Sequence, residues 1–206
     1  MTAPHVSGLS RIVLASNNPG KLKEFAALFA PLGIELVAQA TLGVPDAPEP
    51  HVTFIENALE KARHASRLTG LPALADDSGL CVQALGGAPG VRSARFAQDA
   101  GGEKSDAANN ARLLACLSGK EDRRARYVAV LALVRFADDP QPLLGEGEWH
   151  GEIVDLPRGE GGFGYDPHFL IASLGKTVAE LTPAQKNAHS HRARALAALL
   201  DRLRTA

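Results

Sequence analysis

Only two cysteines, Cys81 and Cys116, occur in 206 residues. Both lie in apolar stretches, which favours buried free thiols over a disulfide and points to a reducing cytoplasm. Charge of one sign is also missing: the formal net charge is −1, so no global field draws the chain to nucleic acid or to an anionic membrane. No apolar run approaches the length of a membrane span, and the N-terminus lacks the basic-then-apolar pattern of a secretory signal. Met1 to Ser10 reads as a flexible lead-in. There is no internal repeat and no low-complexity tract. His189 and His191 lack the spacing of a zinc pair on a helix, and no serine sits in a G-x-S-x-G context. What remains is ordinary for a globular domain that buries a core: 45% hydrophobic and 22% charged residues.

The chain is organised around Ala75-Asp76-Asp77-Ser78-Gly79-Leu80. An apolar run, Leu71 to Ala75, reads as a buried strand that delivers two adjacent carboxylates at its end. Two carboxylates there lose hydration and repel each other, and a divalent cation would relieve both costs. The competing reading is a solvated Asp-Asp-Ser-Gly turn. A second apolar segment runs from Leu80 to Leu85. Alternation along a strand allows only one of Asp76 and Asp77 to face a given site.

Upstream, Arg11 to Ala15 reads as a strand and Leu22 to Leu32 as a helix. The stretch between them, Ser16-Asn17-Asn18-Pro19-Gly20-Lys21, is therefore a strand-to-helix loop. Such a loop exposes N–H groups at the positive end of a helix dipole, a setting for phosphate, with Lys21 adding charge. An ordinary Asn-Pro-Gly turn fits the same residues. It is not a P-loop, because no glycine stands five residues before Gly20 and Leu22 replaces the Ser/Thr. Ile34 to Ala38 reads as a second strand. Thr53-Phe54-Ile55-Glu56 forms a capping box opening a helix with Phe54, Ala58, Leu59, Ala62 and Leu68 on its apolar face. Glu60 and Lys61 are assigned to its solvated side.

Downstream, Asp106 to Leu117 reads as a helix and Arg126 to Phe136 as a central strand buried on both faces. Leu143 to Val154 alternates around glycines and suggests a twisted outer hairpin. Gly159 to Gly164 matches G-x-G-x-x-G, but Tyr165-Asp166-Pro167 follows in place of a helix, which excludes a dinucleotide fingerprint. Phe163 and Tyr165 offer flat faces for stacking a base, or serve as core aromatics. Near the end, Lys186 and His191 would stand roughly 140° apart on one continuous helix. Ser190 is a good N-cap, so a break is expected there.

Six segments then occur in one order: Ser16 to Lys21, Thr53 to Ala58, Ala75 to Leu80, Gly86-Gly87-Ala88-Pro89-Gly90, Gly162 to Pro167 and Ser190-His191-Arg192. Together they resemble the inosine triphosphate pyrophosphatase family in its bacterial form, from Arg11 to about Leu200. The resemblance implies one domain over residues 1–206, with an elongated two-lobed α/β fold. In it a long central mixed sheet is flanked by helices, and an active-site cleft lies between the lobes. It implies a cytoplasmic homodimer that binds neither nucleic acid nor membrane. The implied reaction is magnesium-dependent hydrolysis of ITP, dITP and XTP to monophosphate and pyrophosphate, which clears deaminated purines from the nucleotide pool.

By position, Ser16, Asn17, Asn18, Pro19, Gly20 and Lys21 would hold the triphosphate. Asp77 would bind magnesium and accept the proton of water, with Asp76 beside it, and Ser78 would touch the substrate. Phe163, Gly164, Tyr165 and Asp166 would frame the base, and Lys186, His191 and Arg192 would complete its recognition. One departure is Pro48-Glu49-Pro50-His51, where many members carry an acidic pair. By ungapped spacing Pro48 takes the ligand position and Glu49 the neighbouring one, so either Glu49 substitutes as second metal ligand or water fills the site.

Overall fold

The computed structural model describes residues 9–205; residues 1–8 of the expected lead-in lie outside the described residues. Seven strands and five α-helices are present among the described residues. The strands are β1 (Arg11–Leu14), β2 (Glu35–Ala38), β3 (Ala73–Val82), β4 (Arg124–Val134), β5 (Leu143–Ile153), β6 (Phe169–Ile171) and β7 (Lys176–Thr177). The helices are α1 (Pro19–Phe29), α2 (Phe54–Thr69), α3 (Asp106–Leu117), α4 (Pro183–His189) and α5 (His191–Thr205). One sheet holds the strands in the order β2-β1-β3-β4-β5-β6-β7. It is mixed: β1 pairs in parallel with β2 and β3, while β5–β6 and β6–β7 are antiparallel.

The chain gathers into two compact units. One comprises the chain up to Asp77, Ala129–Gly147 and the chain from Arg192; the other comprises Ser78–Val128 and Glu148–His191. In the first, Ile12, Leu14, Phe25, Leu74, Leu131 and Leu199 form a core on one side of the sheet. Val13, Ala58, Ala62, Ala65, Ala75 and Val130 form another. Each fully buried Leu or Phe contributes about 1.5–3 kcal/mol by leaving water. In the second unit, Leu80, Leu113, Tyr127, Trp149, Tyr165 and Phe169 make the core.

Local chemistry sets the helix ends. Asn18 caps α1 through Lys21 N–H, with Pro19 in the first turn. Thr53 caps α2, and Gly70 ends it at φ +68°. Thr182 and Gln185 form a capping box on α4. The chain breaks at Ser190, in extended backbone (φ −65°, ψ 159°), before α5 begins, as its capping chemistry suggested.

Three expectations are corrected. Asp76-Asp77-Ser78-Gly79 is neither a turn nor a strand end, because β3 runs unbroken from Ala73 to Val82. Gly79 serves close approach: a Cβ there would collide with the Gly90 carbonyl and Ser93 Oγ. Leu143 to Val154 is no hairpin but one strand, β5. Its glycines again make room, since a Cβ on Gly145 would strike the Ala195 carbonyl and one on Gly151 the Leu170 carbonyl. Leu68 is exposed, because α2 buries Asn57, Lys61, Ala65 and Ser66 instead.

After β4 the chain is tied by Asp139. Its buried carboxylate accepts from Arg135 N–H at 3.0 Å, from the guanidinium at 2.6 and 2.8 Å, and from Gln141 N–H at 2.9 Å. The Arg135 bonds hold the carboxyl well below the usual range, against burial. A carboxyl depressed by folding stabilises the fold fully above its unfolded pKa and loses that contribution as pH falls further. Asp139→Asn is therefore expected to lower the urea midpoint at pH 7, and the gap to the parent should shrink below about pH 4.

Candidate active site

Asp76 and Asp77 sit in the middle of β3, 1% and 5% exposed. Successive strand residues point to opposite sides, and the two carboxylates accordingly take different partners. Asp76 Oδ2 meets Lys21 Nζ at 2.8 Å and Arg192 Nε at 3.3 Å. Asp77 Oδ1 meets Lys61 Nζ at 2.7 Å, and Asn57 Nδ2 approaches Asp77 Oδ2 at 3.4 Å. Lys61 ties the two sides together, since it also donates to the Asp76 carbonyl at 2.9 Å and pairs with Glu49 at 2.9 Å. Arg192, 4% exposed, pairs in addition with Glu24 of α1 at 2.8 Å.

These contacts set the protonation states. Burial alone would raise the Asp76 pKa, but Lys21 and Arg192 outweigh it and hold the carboxyl well below the ordinary range. Burial dominates at Asp77 and raises its pKa, against the pull of Lys61. Burial disfavours the Lys61 charge, yet Asp77 and Glu49 outweigh it and raise its pKa. Lys21 is shifted down, mainly by burial, with Asp76 opposing. One strand thus offers a firmly ionised acid, Asp76, beside a more basic one, Asp77.

The Ser16 to Lys21 loop lies in the same unit. Asn17 and Asn18 are exposed and Ser16 is half-buried. Asn17 donates to Asp46 at 2.8 Å, Ser16 Oγ accepts from Asn18 N–H at 3.2 Å, and the Asn18 oxygen caps α1. The loop therefore carries both the turn chemistry and the helix terminus that the sequence suggested. No group of three or more His, Cys, Asp or Glu among the described residues could hold a metal ion. Asp77 and Glu49 nevertheless share one ammonium, Lys61 Nζ. With the Lys61 ammonium moved aside, these two carboxylates would offer magnesium the one or two protein oxygens it takes, with water and phosphate completing its shell.

The second unit holds the other candidate residues. Asp166 is an internal anchor: Tyr127 OH donates to it at 3.0 Å, Phe163 N–H at 3.0 Å and Lys186 Nζ at 2.8 Å. A Cβ on Gly162 would run into its carboxylate. Tyr165 is 4% exposed, packs in the core and donates to the Ser93 carbonyl at 2.8 Å. It fills the role of core aromatic, leaving Phe163 as the half-buried ring of the loop, with Lys186 Nζ 4.7 Å from its centroid. His191 is buried and stacks on Tyr127, with centroids 4.8 Å apart and planes at 13°. Gly164 is held through both its peptide groups by Asp106 and Asn110. Ser78 follows Asp77 on β3 and is half-buried.

Sequence reasoning missed Lys61, Asn57 and Glu24. Lys61 is corrected from a solvated residue to a buried one, 9% exposed, bonded to two carboxylates and a backbone carbonyl. A signal was present. Asn57 and Lys61 are one helical turn apart, and Ala58, Ala62 and Ala65 beside them are small enough to bring α2 close to its neighbours. Lys21 and Glu24 likewise share a face of α1 at i, i+3 spacing.

An open mixed sheet with helices, carrying paired carboxylates among buried cations, defines the class: an α/β protein with an acid–base site suited to polyanion chemistry. Comparison with known proteins narrows the class. The Ham1 family model matches residues 12–202. A dITP/XTP pyrophosphatase of Ralstonia nicotianae is 70% identical over 95% of this chain and 98% of its own. One of Bordetella pertussis is 71% identical over 95% of this chain and 92% of its own. Among solved structures, a HAM1 protein from Coxiella burnetii superposes with a TM-score of 0.87 at 47% identity, covering 96% of this chain and 100% of that one. The chain belongs to the Ham1 family.

Proposed function

We propose that this protein hydrolyses the non-standard purine nucleoside triphosphates ITP, dITP and XTP to monophosphate and pyrophosphate, and so removes them before they enter DNA or RNA. The observation that carries the reading is the pair on β3: Asp77, buried with a raised pKa against Lys61, beside Asp76, kept ionised by Lys21 and Arg192. The names of its close relatives supply the substrate class. We read residues 1–206 as one functional domain, acting in the cytoplasm as a homodimer without nucleic-acid or membrane partners. No helix among the described residues is long and apolar enough to cross a membrane.

Ser16 to Lys21 and Lys61 bind the triphosphate, where their positive charge and the α1 terminus offset that of the phosphates. Asp77 accepts the proton of the attacking water. Asp76 keeps Lys21 and Arg192 in place. Asp77 with Glu49 would hold magnesium, whose charge would offset that of the phosphate oxygens. Ser78 contacts the substrate. Phe163, in a loop with Gly164, Tyr165 and Asp166, stacks on the base, while Lys186, His191 and Arg192 complete the recognition.

Arginine offers donors only, so a 6-carbonyl satisfies Arg192 and the adenine amino group does not. Setting a donor against that amino group costs about 1–3 kcal/mol. Arg192→Ala is expected to lower the ratio of kcat/KM for ITP over ATP by about tenfold. It should also reduce kcat, because Asp76 loses a partner. An unchanged ratio would remove Arg192 from base selection.

A panel of triphosphates with pyrophosphate detection tests the whole reading. ITP, dITP and XTP should be turned over far ahead of ATP, GTP and modified pyrimidine nucleotides. A preference for a methylated pyrimidine would overturn the assigned substrate class.

A further inference from the structure

The loop carrying Phe163 is held by two side chains to which the function above gives no part. Both lie on α3. The Asp106 carboxylate accepts from Gly164 N–H at 2.7 Å, and the Asn110 amide donates to the Gly164 carbonyl at 2.9 Å. They stand four residues apart and so project from one face of the helix. Ser105 fixes where that helix starts by capping it through Ala108 N–H. The positive end of the helix favours the Asp106 carboxylate at its first position.

The peptide that Asp106 grips is the one immediately after Phe163. On the other side, Phe163 N–H is held by Asp166. The backbone around Phe163 is thus held from both directions. Gly164 N–H and C=O are engaged by α3.

Asn110 is a costly choice for mere packing. Its Oδ1 is buried and has no hydrogen-bond partner among the described residues. An apolar side chain of similar size would avoid that penalty but would leave the Gly164 carbonyl without its donor.

We propose that Asp106 and Asn110 are positioning residues for the base: they lock the Gly164 peptide so that Phe163 meets the purine at a fixed height. This rests on the reading of Phe163 as the stacking platform. Steady-state ITP hydrolysis with magnesium, measured with thermal unfolding, tests it on Asp106→Ala, Asp106→Asn, Asn110→Leu and Phe163→Ala. Asp106→Ala and Asn110→Leu should raise KM about tenfold with kcat within about twofold. Asp106→Asn should stay near the parent, because its amide oxygen still accepts. Asn110→Leu relieves the orphaned Oδ1 but strips the Gly164 carbonyl of its donor, so its Tm should stay near the parent while KM rises, a split that a purely structural role does not produce.

An unchanged KM in Asp106→Ala and Asn110→Leu, with KM raised in Phe163→Ala, would refute the clamp and leave the platform standing. An unchanged KM in Phe163→Ala refutes the platform, and the clamp falls with it. Parallel losses of kcat and Tm, or Asp106→Asn behaving like Asp106→Ala, also overturn the proposal.

Discussion

Asp77→Asn is expected to lower ITP turnover by roughly a thousandfold, the middle of the range for removing a general base. The fold should survive. The amide keeps the shape of the side chain, and its oxygen can still accept from Lys61, which retains Glu49 as a second partner. Near Asn57 the exchange is less comfortable, because a donor then faces Asn57 Nδ2. A stability loss of about 1 kcal/mol is the expected scale. Pyrophosphate release and thermal unfolding, measured on the same preparation, separate the two effects. Full activity in the variant would leave the site without its proton acceptor and its metal anchor.

Lys61→Met carries the second large effect, because it removes the one cation shared by Asp77 and Glu49. Breaking a buried pair by deleting one partner costs about 3–5 kcal/mol, chiefly from the charge left behind. The lower end applies here, since Glu49 is the more exposed carboxylate and regains water. Activity should fall by about a hundredfold or more, as the triphosphate loses an ammonium and Asp77 its orientation. A solvated Lys61 would instead give a change within about 0.5 kcal/mol. Urea unfolding of Lys61→Met decides between these two pictures outright.

The reversal at Lys61 shows where reading from the sequence stops. Its chemistry is local, a lysine four residues after an asparagine on an amphipathic helix. Its meaning is not, because Asp77 and Glu49 approach it from sixteen and twelve residues away in the chain. Features set by neighbours were legible: the Thr53 cap and the break at Ser190. Arg11 to Ala15 and the buried centre of β4 were legible as well, because apolar β-branched runs admit few alternatives.

Glycine misled twice. At Gly79 and at Gly145 it read as punctuation, whereas a Cβ would meet a carbonyl from a distant part of the chain. Tyr165 and Phe163 illustrate the same limit. Two aromatics two residues apart look alike in sequence, and only packing sends one into the core and leaves the other at the loop. Alternation along β3 did separate Asp76 from Asp77. It could not say that one would be clamped by Lys21 and Arg192 while the other met Lys61.

The proposed function requires water to attack a nucleoside triphosphate so that the tail leaves whole. Hydrolysis of ITP with magnesium in oxygen-18 water, followed by mass spectrometry of the products, measures this directly. The expected result is inosine monophosphate carrying one labelled oxygen, with unlabelled pyrophosphate. Labelled pyrophosphate, release of orthophosphate, or saturable ITP binding with no turnover would contradict it.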